Sequence, residues 1–122
     1  MDKKRRYIEK IDAQIERGKI ACPVANVLNL LQGKWKLLVI YELCVRSPMR
    51  FGELKRKAEG ITNTMLTSVL KELERDGLVI REQFNEIPPH TEYRPSERAS
   101  ELLPIFYEMA KWGVKHAGKE NG

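Results

Sequence analysis

Hydrophobic residues along the chain recur mainly at three- and four-residue intervals, which is the spacing of one face of an α-helix. Residues 78–84 have the composition of a strand and, with the short run 91–94, flank a loop that contains Pro88 and Pro89, which predicts a two-stranded hairpin. One helix, over residues 34–45, is apolar on nearly every side, so we expect it at the buried centre of the domain. The intervals predict helices over residues 2–18, from Pro23 to Gly33, and over 34–45, 51–58, 63–76 and the residues after Ser96.

Residues with cap and stop preferences mark where these elements begin and end. Thr62 and Ser96 stand at N-cap positions, where a hydroxyl accepts a hydrogen bond from the first turn of the following helix. Gly77 follows the helix over residues 63–76, at the position where a left-handed residue commonly ends a helix. Pro104 lies inside the last helical pattern, so we expect it to kink that helix or to reset its start.

The elements follow the order helix, helix, helix, short extended piece after Pro48, helix, helix, hairpin and helix. Two helices joined by a tight glycine-containing turn and followed by a hairpin form the plan of a winged helix-turn-helix domain. We therefore expect a mainly α fold with a small β-hairpin. Its expected parts are an N-terminal helix (1–20), a winged helix-turn-helix core (21–96) and a C-terminal helix with a tail (97–122).

The helix over residues 63–76 separates its apolar residues from its polar ones. On a helical wheel one arc holds Met65, Leu66, Val69, Leu70 and Leu73. The opposite arc holds mainly short hydroxyl and amide side chains, which lower helix propensity and suit close approach to base edges in a DNA major groove. The alternative is a solvated helix that happens to hold Thr and Ser. The residues of the outward arc, expected to contact DNA, are Asn63, Thr64, Thr67, Ser68, Lys71 and Arg75.

The net charge of +5 is unevenly distributed. Residues 34–57 carry seven Lys and Arg against two acids, whereas residues 62–94 carry four against six. A basic stretch in an otherwise balanced domain indicates a polyanionic partner such as double-stranded DNA, although a solvated charge run is the alternative at each position. The side chains expected at the DNA backbone are Lys34, Lys36, Arg50 and Lys55. Those expected to touch DNA from the hairpin are Arg81, Gln83, Asn85, His90 and Arg94, and the acids among them predict a small contribution.

The sequence contains few of the residue patterns that are typical of an enzyme active site. It has two histidines, His90 and His116, and neither lies at metal-ligand spacing from a carboxylate or a cysteine. A Gly-rich phosphate loop and a Gly-x-Ser-x-Gly elbow are both missing, so we expect no catalytic activity, no cofactor and no metal. We also expect a cytoplasmic protein without a membrane partner, because no apolar run could span a bilayer and the first residues do not form a secretory signal.

Several short motifs then point to one family. They are Cys22-Pro23-Val24, Gly33-Lys34-Trp35-Lys36, Arg50-Phe51-Gly52-Glu53-Leu54, Gly60-Ile61-Thr62, Met65-Leu66-Thr67, Leu70-Lys71-Glu72-Leu73-Glu74, Gly77-Leu78-Val79, and Pro88-Pro89 with Glu92-Tyr93. In order and spacing over about residues 20–115, the chain resembles the HxlR-type winged helix-turn-helix transcriptional regulators, which are related to MarR-like proteins. It departs from them at Arg94-Pro95-Ser96-Glu97, where similar proteins often have a leucine-threonine step and a glycine.

The resemblance implies a homodimeric DNA-binding regulator with residues 63–76 as the recognition helix and 78–95 as the wing. It implies dimerisation through the terminal helices, and an apolar stripe on the last helix fits that role, with the helix's own core as the alternative. A two-fold dimer would set two recognition helices roughly 34 Å apart on a pseudo-palindrome. The residues expected at the dimer interface are Ile8, Ile11, Ile15, Leu102, Ile105, Phe106, Met109 and Trp112.

The two cysteines, Cys22 and Cys44, have different surroundings in the sequence. Cys22 precedes a helix that begins with proline, so backbone N–H donors would stabilise its thiolate. The resemblance implies that such a cysteine can sense an oxidant or electrophile. Because no cysteine follows position 44, a sensor here would need direct adduct formation or a bridge between two copies of Cys22. A small packing residue is the alternative for Cys22, and Cys44 is expected to be an inert core thiol.

These patterns predict a sequence-specific DNA-binding transcriptional regulator that acts as a homodimer, with an oxidant or a small molecule as its effector. We expect repression by occlusion rather than activation, because the sequence shows no separate domain to contact polymerase. The alternative is a winged-helix module for protein interaction that has lost DNA binding.

Overall fold

The computed structural model describes residues 2–16 and 22–117, and its fold is the mainly α-helical winged helix with a two-stranded hairpin that the sequence predicts. None of the described helices is both long and apolar enough to cross a membrane. The elements are α1 (Asp2–Glu16), α2 (Pro23–Leu30), α3 (Lys36–Arg46), α4 (Phe51–Lys57), α5 (Asn63–Arg75), β1 (Val79–Phe84), β2 (His90–Pro95), α6 (Glu97–Ser100), α7 (Leu103–Trp112) and a π-helical turn (Gly113–Ala117).

The ends of α5 are held by the signals that predict them. At its start the Thr62 hydroxyl accepts a hydrogen bond from the Met65 N–H at 3.0 Å. At its end Gly77 has a φ of +74°, which a residue with a Cβ rarely adopts. The Leu78 N–H then donates to the Leu73 carbonyl at 2.8 Å and closes the last turn. The helix is therefore one residue shorter than predicted, with the chain leaving it sharply toward β1.

The last helical pattern is interrupted where Pro104 falls. The Ser96 hydroxyl caps α6 by accepting from the Ala99 N–H at 3.1 Å. This helix ends at Ser100, and α7 begins at Leu103 with Pro104 in its first turn, where a missing N–H costs nothing. The predicted effect of Pro104 is confirmed, because the proline resets the helix start.

The centre of the domain is one face of α3, which packs against β2, α4, α6 and α7. Its residues Val39, Ile40 and Leu43 have no exposed surface. The prediction of burial on nearly every side is wrong, because Leu37, Leu38 and Tyr41 are only half-buried and Val45 is exposed. The same helix buries Glu42, whose carboxylate accepts a hydrogen bond from Arg46 at 2.8 Å.

The second strand of the hairpin is longer than its sequence pattern indicates, whereas the first begins one residue later. Strands β1 and β2 pair antiparallel from Val79 opposite Pro95 to Phe84 opposite His90, so β2 extends beyond the predicted residues 91–94 at both ends. The extended piece after Pro48 joins this sheet, since Met49 exchanges backbone hydrogen bonds of 3.0 and 2.8 Å with Tyr93. The wing is thereby fixed to the segment that leads into α4.

Candidate nucleic-acid interface

Helix α5 has one face in the core and one in solvent. Leu66, Val69, Leu70 and Leu73 are buried, as the helical wheel predicts. Met65 was predicted on the same arc but is 45% exposed, because it lies about 100° around the helix from Leu66, at the edge of the buried face. The outward residues are all exposed, namely Asn63, Thr64, Thr67, Ser68, Lys71 and Arg75.

A cleft of about 350 Å³ separates the outer part of α5 from β1. Lys71 of the helix and Arg81 of the strand both line it, although nine positions lie between them in the sequence. The fold therefore brings a cation of the predicted recognition helix beside a cation of the predicted wing. The cleft is completed by Phe51, Thr67, Leu70, Glu74 and Tyr93.

The Glu72 carboxylate joins α5 to the start of α3. Its Oε1 lies 3.1 Å from Lys36 Nζ, and its Oε2 accepts a hydrogen bond from the Ser68 hydroxyl at 3.2 Å. The Lys36 ammonium, and next the Ser68 hydroxyl, lower the pKa of Glu72 below its ordinary value. Lys36, predicted at the DNA backbone, thus has a partner within the chain, and its side chain is only 12% exposed.

The link through Glu72 could not be read from the sequence pattern, which places Glu72 at the margin of the outward arc as an ordinary surface charge. Its partner Lys36 belongs to another helix, and only the packing of α5 beside α3 brings the two together. The contact from Ser68 does follow a local spacing, because side chains four positions apart are neighbours on a helix.

Three further cations predicted at the DNA backbone are exposed. Lys34 precedes α3 instead of starting it, and its ammonium lies over the Trp35 ring, 4.7 Å from the ring centroid. Arg50 immediately precedes α4, and its backbone N–H donates to the Glu53 carboxylate at 2.8 Å. Lys55 lies on the outer side of α4. These positions leave all three side chains accessible to a phosphate.

The charged side chains of the wing are largely engaged with one another. Arg94 Nη1 lies 2.7 Å from Glu82 Oε1, and His90 Nε2 lies 2.9 Å from Glu92 Oε2. His90 is half-buried because its ring stacks on Phe84, with 4.8 Å between the centroids.

The remaining wing candidates are Arg81, Gln83 and Asn85. Arg81 makes a longer contact of 3.4 Å with the Gln83 amide oxygen, and Asn85 is exposed in the loop. The wing therefore offers little uncompensated positive charge, which agrees with the small contribution expected from its acids.

The apolar stripe of α7 divides between the core and the surface. Phe106 is 5% exposed and packs edge-to-face on Tyr41 with the ring centroids 5.4 Å apart, so it serves the core of its own chain and does not lie free for a partner. Leu102 is half-buried. Ile105, Met109 and Trp112 are 54%, 51% and 64% exposed.

The N-terminal candidates lie on α1 and at the start of α2. Ile8 is exposed and Ile11 half-buried, whereas the side chain of Ile15 lies outside the part of the chain that the structure describes. Cys22 is exposed at the N-cap of α2, and Pro23 opens that helix as predicted. The Cys22 side chain makes no capping hydrogen bond to the first turn of α2, so the predicted stabilisation of its thiolate by backbone N–H donors is not seen.

The Cys44 thiol is held in the interior. It is half-buried on α3 and donates to the Ala99 carbonyl with 3.6 Å between sulfur and oxygen. Burial raises the pKa of Cys44, which keeps the thiol protonated and unreactive. No group of three or more His, Cys, Asp or Glu side chains that could hold a metal ion is found within residues 2–16 and 22–117.

A buried helix-turn-helix core with an exposed polar face on its second helix, followed by a hairpin, defines the class of winged-helix regulators of transcription. The HxlR-like helix-turn-helix family model matches residues 30–121, and the chain belongs to this family. An HTH-type transcriptional regulator of Halalkalibacterium halodurans is 48% identical over 94 residues, which cover 77% of this chain and 83% of that relative. The protein is thus a transcriptional regulator of the helix-turn-helix type and not an enzyme.

Solved structures agree with this assignment. A MarR-family regulator of Porphyromonas gingivalis has a TM-score of 0.73 and 39% identity, and the match covers 80% of this chain and 95% of that one. The redox regulator HypR in its oxidized form has a TM-score of 0.70 and 40% identity, covering 78% of this chain and 97% of that one. Both similarities extend over more than three quarters of the chain.

Proposed function

We propose that the protein is a repressor that binds a pseudo-palindromic operator as a homodimer, with the outer face of α5 in the major groove. The observation that carries this proposal is the division of α5 into a buried apolar face and an exposed face of short polar side chains. Asn63, Thr64 and Thr67 occupy the first turns, and residues near the start of a recognition helix are those that contact base edges. Repression then follows from occlusion of the promoter.

The cations around α5 supply the contacts that position the protein on the duplex. Lys71 and Arg75 lie further along the helix, whereas Lys34, Arg50 and Lys55 are exposed on neighbouring segments. Contacts with phosphates fix the register of a protein on DNA but carry no sequence information directly. In this assignment Lys36 holds Glu72 and does not contact DNA.

Salt dependence of duplex binding tests the proposal. Neutralisation of several phosphates should make the affinity for an operator duplex fall by orders of magnitude between roughly 50 and 200 mM salt. The full-length protein would be titrated into labelled operator and random duplexes, with the operator obtained by selection from genomic fragments. A flat response, or no duplex binding, would favour the alternative of a protein-interaction module.

In this proposal the dimer forms through apolar side chains of α7 that are exposed in the single chain. Ile105, Met109 and Trp112 lie on one side of α7, and Tyr107 lies on the opposite side. Ile105→Glu should convert the dimer to a monomer in sedimentation equilibrium, whereas Tyr107→Glu should leave it a dimer. If both variants sediment as the wild-type protein does, the interface lies elsewhere.

We further propose that Cys22 responds to oxidants, which the exposure of its thiol and the similarity to a redox regulator support. In a bridge between two copies, the two thiols lose two protons and two electrons to the oxidant as the S–S bond forms. After treatment with diamide, mass spectrometry should find Cys22 modified and operator affinity changed. Cys22→Ser should abolish the response and Cys44→Ser should keep it. An operator affinity that is unchanged while Cys22 is modified would contradict this role.

A further inference from the structure

Ser68 and Glu72 lie on consecutive turns of α5, and Glu72 contacts both Ser68 and Lys36. The carboxylate of Glu72 has one oxygen on the Lys36 ammonium at 3.1 Å and the other on the Ser68 hydroxyl at 3.2 Å. Lys36 belongs to α3 and its side chain is nearly covered, so the ion pair links this part of α5 to α3. Ser68 is exposed on the face proposed to enter the major groove.

The chemistry of the pair fixes which atom donates. An ionised carboxylate accepts hydrogen bonds and donates none, and the ammonium of Lys36 holds the pKa of Glu72 low, so the carboxylate stays ionised. The Ser68 hydroxyl must therefore be the donor in its contact with Glu72. A hydroxyl has a single hydrogen, so what Ser68 still presents to solvent is an oxygen with lone pairs, which can only accept.

We propose that Glu72, anchored by Lys36, sets the hydrogen-bond polarity of Ser68 and makes it a specificity-determining residue that selects an amino base at one operator position. In the major groove adenine N6 and cytosine N4 donate, whereas guanine O6 and thymine O4 accept. Ser68 accepts from the exocyclic amine of adenine or cytosine. A guanine or thymine at that position would place a carbonyl oxygen against the lone pairs of Ser68. This inference rests on the proposed function.

Binding-site selection with sequencing of the bound pools tests the polarity of Ser68. The full chain would be compared with the variants Glu72→Gln and Ser68→Ala. In Glu72→Gln the amide N–H can donate to Ser68, which frees the hydroxyl hydrogen to pair with a keto oxygen. Glu74→Gln is the matched control, because it makes the same charge change on the same helix without touching Ser68.

The expected result is one position in each half-site where the wild-type protein prefers adenine or cytosine over guanine or thymine by about tenfold. This preference should fall to about twofold or less in Glu72→Gln and in Ser68→Ala, and remain in Glu74→Gln. Ser68→Thr, which keeps the hydroxyl, should retain it. Other positions of the selected sequence should change little in all four variants.

Five results would overturn the inference. The pool selected by Glu72→Gln could keep every base preference of the wild-type pool. Alternatively, it could lose the base preferences at all positions equally, and Glu72 would then be a purely structural link. If Glu72→Gln fails to fold, the Ser68→Ala variant provides the test. A preference for adenine or cytosine that persists in Ser68→Ala contradicts the inference. A wild-type pool that enriches no sequence would overturn both this inference and the proposed function, whereas an enriched pool without an amino position overturns this inference alone.

Discussion

Helix α5 and the hairpin lie side by side and use their polar residues in opposite ways. On α5 the outward side chains Asn63, Thr64 and Thr67 are short, exposed and point to solvent. On the hairpin Arg94 is 2.7 Å from Glu82, and His90 is 2.9 Å from Glu92. The helix thus keeps hydrogen-bonding capacity available for a partner, whereas two of the hairpin's basic side chains already contact carboxylates of the hairpin.

The difference supports the proposal that α5 supplies affinity and specificity for DNA, with the wing as a support. A phosphate approaching Arg94 must compete with a carboxylate that is already in place, and an exposed ion pair of this kind is itself worth little to stability. The wing contributes mainly by packing, since β1 and the bridge from Met49 to Tyr93 hold the sheet beside α4 and α5. The following changes test this division, beginning with the largest expected effect.

The first change removes the support of α5. Leu73→Ala deletes a side chain with no exposed surface, and such a truncation should lower the free energy of unfolding by about 2 to 5 kcal/mol. Urea denaturation measures the effect. Met65→Ala is the matched control on the same helix, because Met65 is half-exposed and its loss should cost well under half as much. Equal losses would mean that Met65 is covered in solution.

The second change removes a cation from the outer face. Lys71→Ala should weaken binding to a selected operator by roughly 5- to 150-fold, the size of a lost base contact, and weaken binding to random duplex less. Lys34→Ala should weaken both duplexes alike, because a phosphate contact carries no sequence information. Fluorescence anisotropy at fixed salt measures both. If Lys71→Ala weakens binding to both duplexes equally, Lys71 contacts the DNA backbone and not a base.

The third change weakens the start of the recognition helix. Thr62→Ala removes the hydroxyl that accepts from Met65, and loss of an N-cap costs about 1 kcal/mol of stability. Thr64→Ala, two positions along, removes a hydroxyl that caps nothing and should leave stability unchanged or slightly raised. Thermal unfolding compares them. A Thr62→Ala variant as stable as Thr64→Ala would show that the cap contributes little.

The smallest effect is expected in the wing. Arg94→Ala breaks an exposed ion pair with Glu82, so stability should change by about 0.5 kcal/mol or less, and operator affinity by no more than about threefold. Glu82→Ala should tighten DNA binding slightly, because it releases Arg94. A loss in Arg94→Ala as large as that in Lys71→Ala would remove the contrast between the two regions.

The sequence predicts the features that depend on local chemistry. Thr62, Gly77 and Pro104 mark helix ends because each acts on the backbone within one turn of itself. The buried arc of α5 is predictable for the same reason, apart from Met65 at its edge. These local rules were sufficient to place α5 and the hairpin.

Features that depend on packing between distant segments are not predictable in this way. The pairing of Lys36 with Glu72 exists because α3 lies beside α5. Phe106 belongs to the same apolar stripe of α7 as Ile105 and Met109. Periodicity alone does not show which of these side chains packs in the core of its own chain and which is exposed to a second copy. The hairpin extends to His90 and Pro95 because cross-strand pairing, not hydrophobic alternation, sets its length.

The central claim is that the outer face of α5 touches DNA bases, and site-specific photo-crosslinking tests it most directly. A photoreactive amino acid would replace Thr67 on α5 or, in a second protein, Ile87 at the fully exposed tip of the wing. Illumination of each complex with operator duplex should give crosslinks to major-groove bases of both half-sites from position 67, and weak or no crosslinks to bases from position 87. Crosslinks to bases from position 87 without any from position 67 would contradict the account.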